Sequence, residues 1–183
     1  MSNQNQTIDK LTDARIAVQK YIFKFKKGPI SKEYLLKPSS AYGYRELINY
    51  QTGGTRTSNH LGFDIVGTWH CPIEPIGLNG EVIDVYPPPD GYYRGHEVHG
   101  GYVRIRHDDG WVEGHSHLSA IYVKEGDILK DGIFYRDGKE LPSVNLIGRQ
   151  GNTGQSSGDH DHFSLENEFG EFVDPILYVD FWG

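Results

Sequence analysis

At 183 residues and a formal charge of −7, the chain suits one domain that can bury its own core, and it lacks the basic footprint of a nucleic-acid binder. Cys71 is the only cysteine, which excludes an internal disulfide and a thiolate zinc site. With Pro72 after it and no activating neighbour, Cys71 reads as a structural thiol and not as a nucleophile.

The chain opens on Met1-Ser2-Asn3-Gln4-Asn5-Gln6, polar and without an apolar core, so neither a secretory signal nor a membrane span is expected. Ile8, Leu11, Val18, Ile22 and Phe25 then fall on one helical stripe. Lys24, Lys26 and Lys27 would occupy its last turn and Gly28-Pro29 would stop it, which predicts a partly helical extension over residues 1–28. Tyr21-Ile22-Phe23-Lys24-Phe25 is equally good strand sequence, a reading that confines the helix to the first half.

From residue 29 onward the rhythm changes. Short Val/Ile/Tyr runs such as 81–86 and 102–106 are broken by Gly, Pro and Asp-Gly turns, which predicts an all-β body. Pro87-Pro88-Pro89-Asp90-Gly91 reads as a stiff exposed turn, and Phe134 to Leu141 as a hairpin turning at Asp137-Gly138. Gly148-Arg149-Gln150-Gly151-Asn152-Thr153-Gly154 lacks the Gly-Lys-Ser/Thr ending of a phosphate loop and opens no amphipathic helix, so its glycines read as turn positions.

Chemistry concentrates in the histidines. His60 and Asp64 stand four apart, followed far downstream by His115-Ser116-His117 and His160-Asp161-His162. On a strand, residues two apart share a face, so each His-x-His pair is expected to present two imidazoles on one surface, one for metal and one for proton transfer. A single His is more often a surface or satisfied core residue, and His70, His96, His99 and His107 are read so. Four residues of straight strand span ~13 Å, too far for His60 and Asp64 to share one zinc, so the chain must bend between them, and Gly62 is the expected place.

Taken together, these segments resemble the lysostaphin-type (LytM-type) zinc metallopeptidases, which cleave peptide bonds of bacterial peptidoglycan. The resemblance rests on Ser40-Ala41-Tyr42-Gly43-Tyr44-Arg45, His60-Leu61-Gly62-Phe63-Asp64 and His117-Leu118-Ser119. It continues through Gly151-Asn152-Thr153-Gly154, Gly158-Asp159-His160-Asp161-His162-Phe163 and Val173-Asp174-Pro175. It implies a metallopeptidase domain over residues 29–183, with antiparallel sheets in an open sandwich or barrel-like core and long groove-lining loops. It also implies His60, Asp64 and His162 as ligands of Zn2+, with His117 and His160 as catalytic residues. Two neutral imidazoles and one carboxylate would leave zinc a net positive charge and a fourth, open position, the arrangement of a catalytic site.

The sequence departs from the family pattern in three places. Asp161 stands where Leu is usual, which demands an open face or a partner such as an Arg, because a buried unpaired carboxylate is costly. His115 stands where Tyr is more common and reads as a plain substitution on the strand. Trp69-His70-Cys71-Pro72 replaces a simpler turn after Asp64. A cupin reading of Gly154, His160, His162 and Glu166 fails because no His follows in residues 167–183, and a metallo-β-lactamase reading fails at Ser119 and Ala120. The remaining rival is an inactive relative that binds cell wall or activates another hydrolase; such a protein is expected to lack one or more of the five site residues. The expected partner is peptidoglycan, outside the membrane, reached as a phage lysin or on a carrier such as a phage tail.

Overall fold

The computed structural model describes residues 23–48, 53–88 and 98–182. Strands β1 (Leu35–Ser40), β2 (Gly43–Ile48), β3 (Thr55–His60), β4 (Phe63–Gly67), β5 (Pro72–Ile73), β6 (Gly80–Tyr86) and β7 (Gly101–His107) form the first half. The second half holds β8 (Val112–Leu118), β9 (Ala120–Ile121), β10 (Ile128–Lys130), β11 (Ile133–Arg136), β12 (Lys139–Glu140), β13 (Gly148–Arg149) and β14 (Asp161–Glu166). The one helical element among the described residues is a single 3-10 turn at Pro175–Leu177. The body is all-β, as the strand rhythm predicts.

Nine strands make one antiparallel sheet in the order β1-β4-β14-β8-β7-β6-β10-β11-β12, which stays open between its edge strands β1 and β12. A small sheet β5-β13-β9 and the hairpin β2-β3 complete the architecture. Alternation sets which side chains are inside. In β7, Val103 and Ile105 are fully buried while Arg106 faces solvent; in β14, Phe163 and Leu165 are buried while His162, Ser164 and Glu166 stand on the other face. Burying each such apolar side chain stabilises by ~1.5–3 kcal/mol, which lets this core tolerate the polar groups buried beside it.

The predicted hairpin is present: β11 and β12 are joined by Asp137 and Gly138, both at positive φ (51° and 75°), the backbone of a type I′ turn. At the N-terminal end the outcome differs from the helical stripe. Lys24 to Lys27 do not form a last helical turn; Phe25 instead makes a parallel bridge with Val179, its N–H donating to Tyr178 O at 2.9 Å. The reason is tertiary. The Phe25 ring is buried against His107 and Trp111, with ring centroids 5.3 and 6.0 Å away, and Lys24 lies over Trp111. The rest of the predicted extension, residues 1–22, and the Pro89 to Gly91 part of the stiff turn lie outside the described residues.

Candidate metal centre

β3 ends at His60 and β4 begins at Phe63, so the strand breaks at Leu61-Gly62, where the sequence requires a bend. The bend brings His60 Nε2 to 3.0 Å from Asp64 Oδ1. β14 lies beside β4 with His162 opposite Asp64, and His162 Nδ1 stands 2.8 Å from Asp64 Oδ1 and 3.0 Å from His60 Nε2. Three donor atoms, two from one bend and one from a strand about a hundred residues away, thus form one small triangle. Ligands at ~2.0–2.2 Å from a tetrahedral zinc are separated by roughly 3.3 Å, so the triangle needs little adjustment to take that ion.

The tautomers point the same way. His60 Nδ1 lies 2.7 Å from Ala41 O, an acceptor, so that nitrogen carries the proton and Nε2 presents a lone pair to Asp64 and His162. A carboxylate and two imidazole nitrogens converging at about 3 Å call for a proton or a cation among them. Although burial alone would raise it, the hydrogen bond from His162, with the His60 imidazole close by, holds the Asp64 carboxyl well below the usual carboxylate range. Its other oxygen, Oδ2, faces Arg45 Nη1 at 3.6 Å, and Arg45 is itself held by Ser40 Oγ at 2.5 Å.

His117 and His160 stand beside this triangle with ring centroids 4.7 Å apart. His117 donates from Nδ1 to Thr153 O at 2.7 Å, and His160 from Nδ1 to Gly158 O at 2.8 Å, so each offers Nε2 to the site. His160 Nε2 is 3.7 Å from Asp64 Oδ1. Burial, reinforced by the charge on His160, pushes the His117 imidazole down to about 4, which keeps it a neutral base through the neutral range.

No family model matches the sequence. Among solved structures, a zinc-containing peptidase from Vibrio cholerae matches with a TM-score of 0.60 and 26% identity, over 86% of this chain and 40% of that one. The catalytic domain of lysostaphin, an antimicrobial peptidase from Staphylococcus simulans, matches with a TM-score of 0.52 and 24% identity, over 79% of this chain and 90% of that one. The chain has the fold of the lysostaphin-type peptidases. A third match belongs to the SpoIIQ–SpoIIIAH pore-forming complex, with a TM-score of 0.61 and 18% identity over 87% of this chain and 92% of that one. The lysostaphin-type fold alone therefore does not specify an activity; the side chains at the site must do so.

Within the lysostaphin-type frame, one expectation about the histidines fails. His160 and His162 do share the site face, but His115 and His117 do not share one. His115 is fully buried on the core face beside Phe163, whereas His117 adopts φ 67°, and this left-handed residue turns its ring out of strand alternation toward His160 and His162. The two departures from the family pattern explain each other. Asp161 is fully buried, and its partner is no Arg: His115 Nδ1 lies 3.0 Å from Asp161 Oδ2. Glu113, also fully buried, lies 3.3 Å from both His115 Nε2 and His107 Nε2 and accepts the Ile76 N–H at 3.0 Å. Burial would lower the His115 pKa, but the Asp161 charge and hydrogen bonds to both carboxylates raise it to about 10. Burial likewise opposes ionisation of Glu113, which His107 and His115 nevertheless hold down to about 2.

Thr153 and Arg45 lie in the motif segments but carry no role assigned there, and Glu113 lies outside them; all three hold site groups in place. Thr153 clamps the His117 turn: its Oγ1 donates to Leu118 O at 2.7 Å and accepts the Gly101 N–H at 2.9 Å while its carbonyl holds the ring. His99, read as ordinary, contributes its carbonyl to the His117 N–H at 2.7 Å. Gly62 has a second duty besides the bend. A Cβ there would stand 2.6 Å from His162 Cε1 and 2.7 Å from Phe163 O, so Gly62→Ala must displace either the ring or the strand. That variant is expected to weaken metal affinity about tenfold or more in a chelator competition, with the fold retained by circular dichroism.

Proposed function

We propose that this chain is a zinc-dependent endopeptidase that hydrolyses peptide bonds of bacterial peptidoglycan. The observation that carries the reading is the 3 Å triangle of His60, Asp64 and His162 with two further imidazoles, those of His117 and His160, turned toward it. In this reading His60 Nε2, Asp64 and His162 Nδ1 hold the ion. When bound there, zinc supplies a Lewis acid that polarises a carbonyl and acidifies a water.

The remaining chemistry belongs to the chain. His117, neutral and fixed by Thr153 O, offers its Nε2 lone pair to a proton of the attacking water; His160, fixed by Gly158 O, offers a second proton carrier on the same side. Water oxygen adds to the carbonyl carbon, the C–N bond breaks, and a proton carried by this pair goes to the leaving nitrogen, giving a carboxylate and an amine. Arg45, 3.6 Å from Asp64 Oδ2, orients the carboxylate from the side away from the imidazoles.

Delivery by a phage, as a lysin or on the virion, is the setting we infer, and no helix among the described residues is long and apolar enough to cross a membrane. Activity on purified sacculi should be greatest at neutral to mildly alkaline pH and should fall with bound zinc on acidification. A ligand imidazole binds metal only through an unprotonated nitrogen, so protons compete with the ion as the pH falls. Full activity at about pH 4.5 would contradict a site built on these side chains.

A further inference from the structure

Asp161 lies between His160 and His162 in sequence and on the opposite face of β14. It is fully buried, as is His115, its partner on the neighbouring strand β8 at 3.0 Å. The ladder between these strands places His162 opposite Ser116 and Phe163 opposite His115, so the pair bridges them diagonally beneath the site. From His115 the buried chain continues through Glu113 to His107, whose Nδ1 donates to Asn79 O at 3.1 Å. This polar chain ties β14, β8, β7 and the turn before β6 together under the metal triangle.

We propose that Asp161 and His115 are positioning residues that set where the flanking His160 and His162, and His117 two residues beyond His115, stand around the ion. The proposal rests on the metal-site reading above. An apolar core would hold β14 against β8 equally firmly but without direction. The hydrogen bond from His115 Nδ1 to Asp161 Oδ2 fixes the offset of one strand along the other. His162 Nδ1 has only 2.8 and 3.0 Å to its two co-ligands, so a slip of a few tenths of an ångström on the core face is passed directly to the site face.

The test is the zinc dissociation constant by chelator competition, with the visible spectrum of the cobalt-substituted protein, on folded Asp161→Asn, Asp161→Leu and the double variant Asp161→Leu/His115→Phe. Asp161→Asn keeps an acceptor for His115 and should stay within about threefold of the wild type. Asp161→Leu should bind zinc about 10- to 100-fold more weakly and alter the cobalt spectrum. The double variant, which replaces both partners by apolar groups, restores an apolar contact without the directed bond and should bind zinc as weakly as Asp161→Leu; wild-type affinity in it overturns the positioning role. If Asp161→Leu does not fold, Asp161→Ser takes its place under the same criteria. Folded Asp161→Leu, or Asp161→Ser in its place, with wild-type zinc affinity and cobalt spectrum overturns the positioning role alone. Wild-type protein that takes up no zinc overturns the metal-site reading and this proposal with it.

Discussion

His162→Ala is expected to abolish stoichiometric zinc binding and reduce turnover to background. His162 Nδ1 is one of three donor atoms within about 3 Å of each other, and it alone comes from β14. Removing it leaves one imidazole and one carboxylate, and a two-ligand site does not retain zinc against dialysis. His117→Ala and His160→Ala should behave differently. Their rings are held at Nδ1 by carbonyls outside the triangle, so zinc content should persist while kcat falls ~10²- to 10⁴-fold, the usual worth of a positioned acid or base. Metal analysis after dialysis and kcat on one substrate, measured across the three variants, check this. Zinc lost from His160→Ala and kept by His162→Ala would exchange the roles of the closing pair.

Glu113→Leu is expected to be among the most destabilising single substitutions in the chain. It removes a fully buried carboxylate that lies 3.3 Å from two imidazoles and accepts the Ile76 N–H at 3.0 Å, leaving the His115 and His107 Nε2 atoms without their shared carboxylate. Breaking a buried ion pair from one side costs ~3–5 kcal/mol, which for a domain of this size lowers Tm by on the order of 10 °C. The measurement is calorimetry of metal-free protein, so that zinc linkage does not mask the effect. The same network fixes the pH dependence of the wild type. Glu113 is depressed to about 2, so its contribution is present above its unfolded value near ~4.3 and is lost as pH falls toward 2. His115 is raised to about 10, so its contribution is full below ~6.5 and is lost as pH rises through 10. Wild-type Tm should therefore hold across the neutral range and fall at both ends, and Glu113→Leu should lack the acid limb due to this group.

The bend between His60 and Asp64 was legible from local rules, whereas the grouping of His60 and Asp64 with His162 was implied only by the family resemblance. A His and an Asp four apart must bend to share an ion, and Gly62 both permits that bend and makes room for His162. The all-β body and the Asp137-Gly138 hairpin were readable from alternation and turn chemistry. What escaped the sequence depends on contacts between distant strands. The strand period of two put His115 and His117 on one face, and a single left-handed residue at His117 reversed that; nothing local marks a non-glycine residue for positive φ. Asp161 signalled that it needed a partner, but pairing β14 with β8 was required to show that the partner is His115. At Phe25, helical spacing lost to a backbone bridge with Val179 and a ring contact with Trp111, both far along the chain.

The central claim is that the five histidine and aspartate side chains around the triangle cleave amide bonds and not glycosidic ones. Glycosidic cleavage ordinarily uses two flanking carboxylates, whereas here a single carboxylate, Asp64, stands among four imidazoles. The direct measurement is digestion of purified peptidoglycan by the zinc-loaded protein, with free amino groups and reducing sugar ends quantified in the same samples. The predicted result is new amino groups without new reducing ends, lost on chelation and in His160→Ala. Reducing ends without amines, or bound zinc with neither product, would contradict it.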